Sequence, residues 1–420
     1  MMGIGYACQL IGVPETSQRS LVMKNYTEEL LTQVIRSNLE ALDQIMTYNI
    51  EQQITLFRIS SDLIPFGSNE INTVPWWETF KTEFQEIGNK AKRAGIRLSM
   101  HPGQYTVINS PKEDVVERAF LDLEYHAKVL DAMEMGLECK LVLHIGGVYG
   151  EKEIAIDRFI KRYHELSAVV KKRLVIENDD KNYTVEEVLK IGKSQGIPVI
   201  FDNLHHELNP PEERYTETYW IQKCMETWKV QDGRPKIHYS QQDQGKKKGS
   251  HSKTINATLF HAFYTRIKEF DLDIMLEVKD KNLSAVKCMN VIANEHQNKK
   301  LEVEWSKYKY TILEHSHKKY LEIRQLLREQ NKYPVFVFYS LIEEAMGMEV
   351  SKGGAVNTAD HVWGYFKKVA TAKEKEQYLK KVKAFQEGTL SLASLKRFLW
   401  KMTCQYQEHY LLSSYYFYLE

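Results

Sequence analysis

The chain carries only 5 cysteines in 420 residues, and no two of them form a C-x-x-C pair. Cys8, Cys139, Cys224, Cys288 and Cys404 are scattered, which argues against a disulfide framework and fits a reducing compartment. No apolar run approaches the length of a membrane span, so no membrane partner is expected. The opening run IGYACQLIG lacks the basic-then-apolar order of a signal peptide, and a cytoplasmic protein is expected. Charge of either sign is not in excess: 57 Lys and Arg against 56 Asp and Glu leave a net +1. Any nucleic-acid surface must therefore come from local patterning. The phosphate-binding loop GxGxxG is absent, which counts against a dinucleotide fold.

What is present is an alternation. Eight short β-rich runs fall at 4–9, 54–61, 96–103, 139–147, 173–179, 197–206, 235–242 and 272–281. Amphipathic helical stretches separate them, among them YTEELLTQVIRSNLEALDQIM and TVEEVLKIGKSQG. Gly95, Gly136 and Gly196 each precede a strand, as glycines ending a helix do. Thr184 followed by Glu187 reads as a capping box. Strict alternation implies a parallel sheet, and eight units close an α/β TIM barrel. The 420 residues exceed what one such barrel of about 250 needs, so a second domain is expected. The barrel is expected over 1–297, a charged linker NKKLEVEW over 298–305, and an all-helical domain over 306–420. Gly353, Gly354 and Gly388 are expected to mark turns in that helical part, and no solenoid repeat is visible in it.

The active site of a TIM barrel lies at the C-terminal ends of its strands. Those ends here carry His101, His144, Glu177, Asp202, His205, His238 and Glu277, and His251 follows in the loop after strand 7. One histidine or one carboxylate at a strand end is ordinarily a satisfied polar residue. Eight converging groups of this kind cannot readily satisfy each other, and metal ions are the economical solution. The set is too large for one tetrahedral ion; two or three clustered ions fit, with Glu177 as the bridge. Nitrogen and oxygen ligation without thiolate suits Mn2+ or Zn2+. Clustered divalent ions are common machinery for phosphodiester hydrolysis.

Two segments could touch DNA. In HPGQYTVINSP, Gln104 and Tyr105 sit at a loop tip beside His101, where an exposed aromatic could wedge into a base stack. The plainer alternative is that Tyr105 packs under its loop. In GKKKGSHSK, Lys246, Lys247, Lys248 and Lys253 flank His251; a solvated loop is the ordinary reading, a phosphate clamp the functional one.

Seven ordered blocks, FRISSDLIPFGS, LSMHPGQY, LVLHIGGVYGEK, IENDD, DNLHH, PKIHYSQQD and MLEVKDK, resemble the bacterial UV damage endonucleases. The resemblance spans residues 3–285. It implies a TIM barrel similar to endonuclease IV and up to three divalent ions, typically manganese. It also implies incision 5′ of cyclobutane pyrimidine dimers, 6-4 photoproducts and some abasic sites in duplex DNA. By motif, the eight groups above match the family's metal ligands, and Gln104 and Tyr105 match the residues inserted at the lesion. Tyr6 matches a tyrosine at the lesion, and Lys236 a lysine carboxylated in the family. Catalysis is then expected to centre on Glu177, Lys236 and His238. Asn69 stands where relatives carry a histidine, and Leu10 where they carry an asparagine. Asn69 keeps the ability to hydrogen-bond a phosphate; Leu10 cannot read a base edge.

The segment from about 305 to 418 resembles a helical domain of unknown function found in small YbgA-like proteins. Its aromatic and lysine content permits DNA contact or docking of a protein partner, and the chain is expected to be a monomer. His315, His317 and His361 are read there as surface or packed residues. Two rival functions are a sugar isomerase on the same barrel, which would need a small closed pocket, and a damage-binding protein without catalysis.

Overall fold

The computed structural model describes residues 2–293, 297–329 and 333–419. Eight parallel strands close into a barrel in sequence order. They are β1 (Ile4–Ala7), β2 (Leu56–Ile59), β3 (Arg97–Met100), β4 (Lys140–His144), β5 (Leu174–Glu177), β6 (Val199–Asp202), β7 (Lys236–Tyr239) and β8 (Asp273–Leu276). All eight lie inside the expected runs. Each is nearly continuously buried, because helices cover the outside and side chains fill the inside. At Gly5 a Cβ would lie 2.0 Å from the Leu56 carbonyl oxygen, so only glycine lets β1 and β2 approach.

Local chemistry sets the helix ends. Thr184 and Glu187 form the reciprocal capping box at the start of the helix Val185–Gln195, which Gly196 ends in the left-handed region at φ 68°. Gly95 is also left-handed, at φ 67°. Gly136 is not: Glu134 (φ 55°) takes the left-handed position after the helix Glu113–Ala132, so the expected glycine stop falls two residues earlier.

The chain divides into two compact units, Met1–Leu10 with Glu15–Cys288, and Ile11–Pro14 with Met289–Glu420. The second unit is helical, with longer helices at Asn298–His315, His317–Leu326, Val335–Met346, Lys352–Trp363, Ala372–Gln386 and Leu392–Gln405. Residues 298–305, expected as a linker, are the first turns of the helix Asn298–His315. Gly353 and Gly354 do not form a turn but open the helix Lys352–Trp363. Ser351 caps it by accepting from the Gly354 N–H, and a Cβ at Gly354 would lie 2.7 Å from the Glu314 carbonyl. Gly354 thus serves close helix packing, whereas a Cβ at Gly353 would meet nothing within 4 Å. Gly388, at φ 79°, ends a helix as expected. The core of this unit is aromatic: Trp363 and Tyr378 stack at 4.3 Å, with Phe398 beside them.

Candidate metal centre

Register builds the site. His144 pairs with Glu177 across β4 and β5, and Asp202 with His238 across β6 and β7. Four chemically active residues thus meet at the C-terminal ends of neighbouring strands. Glu177, Asp202 and His238 are buried, and one ligand atom from each lies within 4.8 Å of the others. His101, His144 and Glu177 form a second such group, so Glu177 belongs to both.

The distances show how crowded the carboxylates are. Glu177 Oε2 lies 3.3 Å from His101 Nε2 and 3.7 Å from His144 Nε2, while Oε1 lies 2.5 Å from His238 Nδ1. His238 Nδ1 is also 3.3 Å from Glu277, whose other oxygen is 3.8 Å from His251 Nε2. His205 Nδ1 is 3.7 Å from Asp202. All eight expected ligands therefore converge.

Surrounding hydrogen bonds aim the rings. His205 Nδ1 donates to the Asn178 carbonyl at 2.9 Å, and His101 Nδ1 to the Pro102 carbonyl at 3.1 Å. Both leave Nε2 as the free nitrogen, an arrangement typical of metal-binding histidines. Asn178 also fixes β6, accepting from the Asp202 N–H at 3.0 Å and donating to its carbonyl at 3.1 Å. Glu177 Oε2, Asp202 Oδ2 and His144 Nδ1 are buried without a hydrogen-bond partner. Buried acceptors are costly to leave unpaired, and this donor set fits hard or borderline divalent cations.

Electrostatics agree. Burial, then Glu277 and Asp202, push the Glu177 carboxyl well above its usual range. Burial lowers His101 strongly, with Arg58 and His144 adding to it, and takes His144 down to about 4. Burial opposes the charge on His205, yet Asp202, Glu177 and Glu277 lift it to about 9. Burial also pushes Glu277 up, but Arg58 and the facing histidines hold it well below its usual range. Lys236 is buried, and burial followed by Arg97 and Arg58 drives its ammonium well down.

Arg58 is the residue that sequence reading missed. Its guanidinium lies 2.6 Å from Glu277 Oε1 and 2.9 Å from His238 Nε2, inside the barrel. An arginine within the otherwise apolar strand LFRI was the available signal, since a buried charge requires partners.

The segments expected at DNA divide. Tyr105 is 83% exposed and Gln104 is exposed, so the loop presents both and Tyr105 does not pack beneath it. Lys246, Lys247, Lys248 and Lys253 are exposed around His251, and an antiparallel bridge between Gln242 and His251 braces their loop. Tyr6 does not join them. Ala7 pairs with Arg58, which faces into the barrel, so alternation turns Tyr6 and Phe57 outward. Tyr6 is fully buried there and donates to Asn49 Oδ1 at 2.9 Å. Asn69 is exposed, with its side-chain oxygen accepting from the Ile71 N–H, and stands outside both ligand groups. Leu10 is buried.

Residues 4–306 match the family UV-endonuclease UvdE. The chain belongs to that family. Residues 309–419 match a second family, described as a protein of unknown function (DUF1722). The UV DNA damage endonuclease of Clostridium perfringens is 45% identical over 318 residues, 75% of this chain and 77% of that protein. The UV DNA damage endonuclease of Bacillus cereus is 34% identical over 64% of this chain and 85% of its own length. The crystal structure of SacUVDE superposes with a TM-score of 0.66 at 39% identity, covering 70% of this chain and 98% of that one. A UvdE-family chain with this barrel is a DNA repair endonuclease and hence a hydrolase acting on DNA. No helix among the described residues is long and apolar enough to cross a membrane.

Proposed function

We propose that this UvdE-family endonuclease cuts the phosphodiester 5′ of UV photolesions, and of abasic sites, in a reaction that requires two or three divalent ions, Mn2+ before Zn2+. One observation carries the reading: Glu177 sits in both ligand groups, beside an exposed Tyr105 loop. His101, His144, Glu177, Asp202, His205, His238, His251 and Glu277 would hold the ions. Bound there, the ions supply Lewis acidity for hydrolysis of the phosphodiester. Lys236, whose charged form burial disfavours, is suited to carboxylation, which would add an oxygen ligand.

The chain's own side chains select and position the DNA. Tyr105 and Gln104 enter the stack where damaged bases leave it most cheaply, so selectivity needs no base-edge contact. The loop lysines 246, 247, 248 and 253 hold backbone phosphates. Asn69, exposed on the loop after β2, is available to a phosphate but not to the ions. The substrate is damaged duplex DNA, met by a monomer in the bacterial cytoplasm, as befits bacterial relatives acting on DNA.

Two variants separate the roles. Glu177→Ala should lose both incision and bound Mn2+, measured by gel assay and by elemental analysis. Tyr105→Ala should keep its Mn2+ and lose preference for damaged over intact duplex, with stacking loss weakening binding by roughly 10-fold. Wild-type metal content in Glu177→Ala would remove the bridge from the account.

A further inference from the structure

One turn of the helix Glu113–Ala132 holds the exposed loop after β3 at both of its ends. At the tip, Gly103 to Thr106 form a turn, closed by the Thr106 N–H donating to the Gly103 carbonyl at 2.9 Å. Gln104 and Tyr105 are its central residues, and both are exposed. Packing at the tip does not aim them, since a Cβ at Gly103 would meet nothing within 4 Å. Their direction is therefore set where the loop meets the barrel. On the far side Thr106 is buried, and its hydroxyl donates to Asp122 Oδ2 at 2.5 Å. On the near side the His101 carbonyl accepts from the Ser61 hydroxyl at 2.9 Å, and that hydroxyl lies 2.9 Å from His126 Nε2. His126 is fully buried, and its Nδ1 donates to the Asp122 carbonyl at 2.6 Å. Tyr125 donates to the Ser61 carbonyl at 2.9 Å, which fixes Ser61 in turn. Asp122, Tyr125 and His126 stand at positions i, i+3 and i+4, on one face of the helix.

We propose that Thr106 is a positioning residue for damage recognition: its hydroxyl, tied to Asp122, holds Gln104 and Tyr105 in place before DNA arrives. The inference rests on the reading that these two residues enter the base stack. A loop already set in its bound form loses less conformational freedom on binding, so more of the contact energy appears as affinity. The bond is suited to that work, because a hydrogen bond to a charged group is stronger than one between neutral groups. The two ends of the loop bear on different parts of the site. The Ser61 end bears on His101, a proposed ligand of the ions. The Thr106 end borders Tyr105 and bonds to none of the eight proposed ligands. Lesion selectivity can therefore be altered at Thr106 without disturbing the metal centre.

The test is steady-state incision, by the full chain with Mn2+, of a duplex carrying one cyclobutane pyrimidine dimer and of the intact duplex. Thr106→Val keeps the shape and removes the hydroxyl; Thr106→Ser keeps the hydroxyl. Thr106→Val should raise KM for the dimer duplex by roughly 10-fold, the worth of a hydrogen bond to a charged group, with kcat changed much less. Thr106→Ser should recover most of that loss, and bound Mn2+ should match wild type in both. A chain with Gln104→Ala and Tyr105→Ala should lose nothing more when Thr106→Val is added, because the threonine acts only through those two residues. Retained preference for the dimer in that double variant would overturn the insertion reading, and this inference with it. Three other results would overturn the positioning role alone. These are a wild-type KM in Thr106→Val beside a lost preference in the double variant, a further loss when Thr106→Val is added to it, and a Thr106→Ser as impaired as Thr106→Val.

Discussion

Arg58 and Glu277 show what a single pair does in this centre. Three carboxylates share a buried space, and Arg58 is the cation within hydrogen-bond reach of one of them, 2.6 Å from Glu277. Removing one partner of a buried pair leaves the other uncompensated, at a cost of about 3–5 kcal/mol. Arg58→Met should therefore lower the melting temperature of the metal-free protein. Divalent ions bound at the proposed centre would restore the missing charge, and a ligand that binds only the folded state stabilises it. Mn2+ should then raise the melting temperature of Arg58→Met by more than it raises that of wild type. Equal increments in differential scanning fluorimetry would mean that Arg58 and the ions do not compensate the same carboxylates. At this scale the converging groups were legible in the sequence, because imidazole and carboxylate at strand ends are conspicuous. It did not reveal which way β1 faces. One residue of pleat turns Tyr6 into the helix layer, and a motif match carries no pleat.

Elements were legible where the chemistry is local. The capping box at Thr184 and Glu187, the left-handed Gly95 and Gly196, and all eight strands follow from residues within a few positions of each other. Gly353 and Gly354 were misleading because the constraint is tertiary and falls on one of them: Gly354 lets the Glu314 carbonyl approach. The charged run 298–305 resembled a linker, yet Leu301 and Glu304 are buried and the helix begins at Asn298. A second capping box, Thr371 with Glu374, starts the helix Ala372–Gln386. The Thr371 backbone N–H, then its hydroxyl and Tyr406, hold the Glu374 carboxyl down at about 2. A depressed folded value stabilises above the unfolded pKa, about 4.3 for glutamate. That stabilisation is lost as pH falls from there through about 2. Glu374→Gln should melt below wild type at pH 6, and the gap should close across that acid window. A gap that is constant with pH would show that the carboxylate charge contributes nothing.

For the whole molecule, an eight-stranded barrel, a cluster of converging imidazoles and carboxylates and an exposed aromatic loop fit the one proposed reaction. Alternation of strands and helices made the barrel and the added helical unit readable, because eight parallel strands with covered faces have few other solutions. Contacts between distant positions, such as Arg58 with Glu277, appear only once the barrel closes. Membership of the UvdE family gives the enzyme class, and the ligand cluster gives the expectation of metal dependence. The direct measurement is incision of a duplex carrying one cyclobutane pyrimidine dimer, with and without Mn2+, beside the undamaged duplex. The account predicts a single cut 5′ of the dimer that disappears when the metal is chelated and is absent from the undamaged strand. Equal cutting in chelator, or equal cutting of the undamaged duplex, would contradict it.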